Sequence, residues 1–272
     1  MEPWVIQATG GIKYITVPGW EAEGVLLAFS TRGGGVSQGI YESLNLGLHV
    51  GDQEELVLEN RRRLAAVFGT QLDSMVCCEQ VHGNQVTVVG AADRGRGAFC
   101  LEGAIPGHDA MVTAEPGINL LSFYADCVPV YIFDPRHRAV ATAHCGWKGT
   151  MGRICSHTIE LMGRHFGTRP AEVQAFIGPG IGASCFEISL DLAARANAEF
   201  PGWHDIINTD GGGRCTWDLQ ETNARIMQGT GVRPGNISIC PLCTACQADL
   251  FFSFRRDQGG TGRMAALLGL KY

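Results

Sequence analysis

The sequence predicts a mixed α/β fold of the α+β class in which strands outnumber helices, and three observations carry that reading. Short apolar, β-branched runs recur along the chain, as in GVLLAFS, VPVYIFD, AVATAHC and RMAALLGL. Helical periodicity is confined to a few segments. Glycine, at 37 of 272 residues, punctuates nearly every run with a turn. No internal repeat, low-complexity tract or composition break divides the chain, so residues 1–272 are expected to form one domain.

The elements follow in order. GVLLAFSTRGGGVSQG reads as a strand that stops at Arg32 and a triple glycine. Asp52 with Glu55 has the capping-box pattern, and Leu56, Asn60, Leu64 and Phe68 mark one face of a helix from about Glu54 to Phe68, closed by Gly69. MVCCEQVHGNQVTVVG predicts two strands or one bent strand with His82 at the bend, and it sets Cys77 and Cys78 on opposite faces. DAMVT, INLLSFYADCVPVYIFD and AVATAHCG are strand-like, with Pro129 implying an irregular or edge position. GTMGRICSHTIELMGRHFG turns helical with Ile154, Thr158, Leu161 and Met162 on one side and ends at Gly167. VQAFIGPGIGASCFEIS predicts strand, glycine-rich loop and strand; helices follow at Asp191 to Phe200 and Asp218 to Gly229, and NISIC, LFFSFRR and RMAALLGL read as closing strands.

Net charge is −6 and the sequence pI is near 5.7, so no basic field draws a nucleic-acid backbone or an anionic membrane. A phosphate-bearing partner needs a local pocket instead. No apolar run reaches the roughly 20 residues that cross a bilayer, and MEPWVIQATGG lacks a secretory pattern, so a cytoplasmic location is expected. The cysteines number 11, an odd count with adjacent members at 77 and 78, which suits a reducing compartment better than a disulfide framework.

His82, Cys127 and His144 each stand where a strand gives way to a glycine- or proline-containing loop, and strand ends of one sheet can converge. Two imidazoles and a thiolate suit zinc with a fourth position open, although their spacing matches no standard ligand pattern. A metal-free alternative uses Cys127 as nucleophile, His82 or His144 as base, and Asp126 or Asp109 to orient it. Plain packing of a buried Cys and His is the third reading. CPLCTAC places Cys240, Cys243 and Cys246 at intervals of three, but no second cysteine pair matches them, so packing at a strand end is expected. Arg32, Lys148 in GWKGT, the IGPGIG loop and Arg255 in RRD are candidates for holding an anion. None of these matches a phosphate-loop or dinucleotide fingerprint. Two chemistries are opposed by absences. No His is followed two places later by Glu, as nucleobase deaminases require, and eight histidines with no H-x-H pair fall short of a multicopper oxidase.

FSTRGGGVSQGIYESLNLGLHVGD, ENRRRL, EQVHGNQV, ADCVPV, AHCGWKGT, IGPGIGASCFEI and FFSFRRDQGGTGRM, taken in succession, resemble the signatures of the YfiH/YlmD-like family. That family was long labelled laccase-domain or multicopper polyphenol oxidase and is described as purine nucleoside phosphorylases of broad specificity. The resemblance implies β-sheets flanked by helices, a fold also grouped with cysteine-hydrolase-like toxins. It implies zinc, with copper as the alternative, held by the His of QVHG, the Cys of ADC and the His of AH-x-GW, here His82, Cys127 and His144. It implies phosphorolysis of adenosine, inosine, guanosine and methylthioadenosine, deamination of adenosine, and purine nucleosides and phosphate as the partners. Arg32, Asn45, Lys148 and Arg255 are the expected phosphate or substrate contacts, and Asp126 or Asp109 the expected proton carriers or orienters of a metal-bound His. The chain departs from the family's commoner AHAGWRGT at Cys145 and Lys148; lysine keeps the charge without the forked geometry, and Cys145 is not expected to be a ligand. A copper-dependent phenol oxidase, a metal-free cysteine hydrolase acting on an amide and a non-catalytic scaffold are the competing readings.

Overall fold

The computed structural model describes residues 3–272. In chain order the elements are β1 (Val5–Thr9), β2 (Ile12–Thr16), α1 (Pro18–Ala22), β3 (Val25–Ser30), α2 (Glu54–Val67), β4 (Met75–Val76), β5 (Val86–Val88), β6 (Ala110–Thr113), β7 (Asn119–Tyr124), β8 (Val128–Asp134) and β9 (Ala139–Cys145). They continue with α3 (Trp147–Met151), α4 (Ile154–Phe166), β10 (Gln174–Ile177), β11 (Glu187–Ile188), α5 (Leu190–Glu199), β12 (Ile207–Thr209), β13 (Cys215–Trp217), α6 (Leu219–Gly229), β14 (Ile237–Ile239) and β15 (Met264–Leu270). Among the described residues the strands form two six-stranded sheets, ordered β1-β2-β3-β15-β7-β4 and β14-β10-β8-β9-β6-β5, and a small third one, β11-β13-β12.

The period-2 alternation of side chains stacks these sheets. From the first sheet Phe29, Tyr124, Met264, Ala266 and Leu268 meet Tyr131, Phe133, Val140 and Phe176 of the second in one buried layer. The alternate residues of the same strands face outward. Ala28, Leu121, Ala265 and Leu267 pack under Leu64 and Ala65 of α2, whereas Val130, Ile132, Ala141 and Ala143 pack under Ile154, Ile159 and Met162 of α4. The result is helix, sheet, sheet, helix, with no helix long and apolar enough to cross a membrane among the described residues.

The mixed α+β expectation holds, with five local differences. The hairpin β1–β2, joined by Gly10 and Gly11 in left-handed conformations, the turn type that suits twisted strands, was not foreseen, nor were β12 and β13. Asp52 does not cap α2; the N-cap is Gln53 without a side-chain bond, because Asp52 instead accepts from Ser37 Oγ and Asn45 Nδ2. MVCCEQVHGNQVTVVG does make two strands, but β4 belongs to the first sheet and β5 to the second. Pro129 lies inside the interior strand β8, near its start and opposite His144, where its carbonyl still accepts from the Gly178 amide at 2.9 Å just past the end of β10. LFFSFRR is not a strand. The Arg256 guanidinium bonds the carbonyls of Thr244 and Phe251, and the amides of Asp257 and Gly259 close turns onto Ser253 O and Phe254 O, so the backbone curls.

Topology then decides where the chemistry gathers. β4 and β7 are parallel neighbours, so both leave the first sheet at the same end. The first crosses to β5 through His82 and the second to β8 through Cys127. β9, antiparallel to β8, finishes at the end where β8 begins, which delivers His144 beside both crossings. The three residues therefore converge between two sheets rather than along one.

Candidate metal centre

The side-chain nitrogens of His82 and His144 and the sulfur of Cys127 lie within 4.8 Å of one another. His82 is exposed at the rim, Cys127 is half-buried and His144 is buried at the floor. His144 shares strand parity with Val140 and Thr142, which turns it toward the first sheet, where it packs edge-on against Tyr124 at 5.3 Å between ring centroids. Cys145 has the opposite parity. Its sulfur is 3.5 Å from Cys155 in the helix-facing core.

Asp109 organises both histidines. Its Oδ1 is 2.8 Å from His144 Nδ1, and since an ionised carboxylate only accepts, the ring proton sits on Nδ1 and Nε2 is left for a metal or a proton. The same carboxylate accepts backbone N–H bonds from Val81 at 3.2 Å, His82 at 2.9 Å and Gly83 at 2.7 Å. These consecutive amides form an anion nest, and it holds His82 at φ 61°, in the left-handed region. Burial pushes the Asp109 carboxyl up, but the hydrogen bond and charge of His144 and the amides outweigh it and hold it below the usual range.

A test of fit comes from Gly146. A Cβ there would stand 2.9 Å from Cys127 Sγ and 3.3 Å from His82 Cδ2, so only glycine keeps clear the space around the sulfur. Two nitrogens, one sulfur and a positioning carboxylate behind a histidine make a donor set that suits zinc. Burial by itself pushes the Cys127 thiol up, yet the charges and hydrogen bonds of His144 and His82 bring it down to about 6. His144, lowered by burial, is raised further by Cys127 and Asp109, to about 9. In metal-stripped protein, alkylation of Cys127 by iodoacetamide is accordingly expected to reach half its maximal rate near pH 6, and added zinc to suppress it. Mass spectrometry of the Cys127 peptide across pH checks both, and half-reaction near pH 9 would refute the imidazole–thiolate pairing.

The three residues open onto a cavity of about 570 Å³. Phe123, Phe186, Phe254 and Trp147 supply aromatic wall, and Arg61, Arg255 and Arg263 supply positive charge. Of the anticipated anion contacts, only Arg255 and the IGPGIG loop, through Ile181, line it. Arg32 spends its guanidinium on Glu42 O and Ala248 O and stacks on Phe252, 4.7 Å from the ring centroid. Lys148 is exposed, with Nζ 5.6 Å from the Trp147 ring. Asn45 is fully buried and acts one step back, its Oδ1 accepting from the backbone N–H of Arg263 at 2.8 Å.

Asp126 borders the cavity, but its Oδ1 accepts from Thr244 Oγ1 at 2.6 Å and its Oδ2 from the Arg255 amide at 2.8 Å. Those bonds make it an anchor for the curled segment that carries Phe254 and Arg255. Sequence reasoning missed Arg61, Arg263 and His49. Arg61 is 2% exposed, donates to the carbonyls of Leu46, Gly97 and Ala98, and lies over Phe123 at 4.6 Å. His49 is lowered to about 4 by burial and then by Arg263 and Arg61, so it is a neutral imidazole at neutral pH. All three sit inside quoted motifs, ENRRRL, TGRM and LGLHVGD, but an arginine in a motif does not announce which way it faces.

With this geometry in place, comparison with known proteins gives a consistent result. Residues 26–271 match the family described as multi-copper polyphenol oxidoreductase laccase. The chain is 39% identical over 251 residues to purine nucleoside phosphorylase YlmD of Geobacillus stearothermophilus, covering 90% of each chain. It is 34% identical over 242 residues to adenosine deaminase RL5 from an unknown prokaryotic organism, covering 89% of this chain and 92% of that one. The crystal structure of YlmD from Geobacillus stearothermophilus superposes with a TM-score of 0.94 at 36% identity over the whole of both chains.

Proposed function

The chain belongs to the YfiH/YlmD-like family, the multi-copper polyphenol oxidoreductase laccase group, and from that membership we propose a zinc-dependent purine nucleoside phosphorylase of broad specificity. Adenosine, inosine, guanosine and methylthioadenosine are its proposed substrates, with deamination of adenosine to inosine as a second activity. The observation that carries the reading is the meeting of His82, Cys127 and His144 at a cavity walled by aromatic rings and arginines. Relatives that bear the names purine nucleoside phosphorylase and adenosine deaminase support it.

A zinc ion held by these three residues supplies a Lewis acid and an acidified water. The chain's own groups do the rest. Phe123, Phe186 and Phe254 offer flat apolar surface to a purine, and Arg255, with Arg61 and Arg263 lining the same cavity, offers charge to a phosphate whose oxygen bonds the anomeric carbon as the bond from that carbon to purine N9 breaks, the phosphate's proton leaving with the purine. Asp109 keeps His144 oriented through Nδ1 rather than carrying a proton to substrate, since four donors already occupy its oxygens. His49, neutral and lining the cavity, offers one ring N–H and one ring nitrogen acceptor for hydrogen bonds to substrate. A cytoplasmic location forms part of the same proposal, supported by the thiol-rich composition.

Incubation of the pure protein with inosine tests the assignment. Hypoxanthine and ribose 1-phosphate are expected when phosphate is present and neither when it is omitted; phosphate-independent release, or none, overturns it. The copper oxidase reading is opposed by the small histidine count and by a cluster of only two imidazoles and one sulfur. Elemental analysis before any metal is added distinguishes the two.

A further inference from the structure

A second group of metal-ligating side chains lies beside the cavity, built from residues that the proposed reaction does not use. Cys185 in the loop before β11 meets Cys243 and Cys246 of the CPLCTAC stretch, and the three sulfurs lie within 4.8 Å of one another. Cys240, grouped with them by sequence interval, is instead fully buried in the layer between the two large sheets. Cys185 and Cys246 approach to 3.3 Å between sulfurs. Tetrahedral zinc–sulfur bonds of about 2.3 Å set thiolates roughly 3.8 Å apart, so this spacing needs little adjustment to take an ion.

Backbone amides converge on one of the three sulfurs. The Gly182 amide donates to Cys243 Sγ at 3.1 Å, and the amides of Ala245 and Cys246 point to the same sulfur. Amides turned onto the first sulfur of a C-x-x-C turn stabilise its charged form, and Cys243 is held below the usual thiol range despite partial burial. A Cβ at Gly182 would lie 3.1 Å from Cys243 Cβ and 3.3 Å from its sulfur, so glycine is what allows that loop to close on it. The two loops are also tied by backbone, with Thr244 N donating to Gly180 O at 3.0 Å. Around Cys185, Arg255 binds the carbonyls of Cys185 and Glu187, and Arg214 binds the carbonyl of Ser184 and the carboxylate of Glu187, so two arginines fix the backbone on either side of that cysteine.

We propose that Cys185, Cys243 and Cys246 form a second site for a thiophilic divalent cation of the zinc type, distinct from the His82–Cys127–His144 centre. Cys246 is exposed, so the fourth position faces solvent and takes a water. Binding releases the protons that remain on the sulfurs and locks the 182–187 loop to the 243–246 turn. That loop carries Phe186 to the cavity wall and supplies the carbonyls that hold Arg255, so the ion fixes one side of the substrate cavity.

The test is metal stoichiometry on the full chain, reduced, stripped, reloaded with Zn²⁺ and freed of excess. Two ions per chain are expected in the parent, one in Cys127→Ala, one in Cys243→Ser/Cys246→Ser and none in the triple variant. In the Cys127→Ala background Co²⁺ is expected to give thiolate-to-metal charge-transfer absorption, which the single change Cys246→Ser, at an exposed side chain, weakens or abolishes. A parent that holds one ion and loses it wholly in Cys127→Ala overturns the proposal. So does a Cys127→Ala protein whose zinc content and cobalt spectrum are unchanged by the cysteine substitutions. Neither readout depends on turnover, so the outcome is separable from that of the phosphorylase assay.

Discussion

Cys127→Ala is expected to lower kcat/KM for inosine phosphorolysis by about a thousandfold or more, equivalent to ~4 kcal/mol of transition-state stabilisation. The sulfur is the single anionic donor of the centre, and the two imidazoles left behind hold a divalent ion far more weakly. Steady-state kinetics with parallel zinc analysis checks this, and activity and bound metal at this centre should fall together. Cys127→Ala would also inactivate a metal-free cysteine hydrolase, so the discriminating arm is the unmodified protein. Chelator is expected to abolish its phosphorolysis and zinc to restore it, whereas turnover that survives complete metal removal would contradict a metal centre.

Asp109→Asn is expected to cost about 2–5 kcal/mol of stability and to weaken metal affinity by about 10- to 100-fold. The substitution preserves size, so the effect isolates hydrogen-bond polarity. Oδ1 accepts from His82 N and His144 Nδ1, and Oδ2 from Val81 N and Gly83 N. Whichever way an amide is turned, its NH₂ faces two donors, so no rotation repairs the loss. The carboxylate side chain is fully buried, which removes water as a substitute partner.

The pH dependence follows from the sign of the shift. Asp109 titrates lower in the folded chain than in the unfolded one, where a carboxyl sits near ~3.9. Its contribution is therefore present above that unfolded value and is lost as pH falls through the folded one. The gap between the thermal melts of the two proteins is expected to stay constant from neutral pH down to about 5 and to narrow progressively as pH falls through and below about 4. A gap that does not narrow at all on the acid side of that value would mean the carboxylate charge is not what stabilises the nest.

Much of this was legible in the residues alone, for identifiable reasons. Strands β3, β6, β7, β8, β9, β10 and β15 were visible because both faces of each are buried, and a doubly buried strand must be written as an unbroken apolar run. Helix α4 was visible because one face packs on a sheet and the other does not. β1, with most of its residues exposed, carries no such obligation and left no pattern. LFFSFRR misled for a related reason. Its buried Phe251 and Phe252 imitate a strand, while the side chains of Arg256 and Asp257 bond the local backbone and bend it.

Local chemistry is written residue by residue, and so His82, Cys127 and His144 stood out as donors, and Asp126 or Asp109 as the carboxylate beside them, before any fold was known; only the fold chose Asp109. Which donors share a point in space is a property of crossings, strand parity and long-range loops, and none of these has a local signature. Two parallel crossings between stacked sheets put His82 beside Cys127, strand parity turned His144 inward and Cys145 away, and loop closure exchanged Cys240 for Cys185. The same folding sent Arg32 and Lys148 to other duties and brought Arg61, Arg263 and His49 to the cavity. Charge and hydrogen-bonding capacity belong to a side chain wherever it lies; its partners exist only once distant segments are packed together.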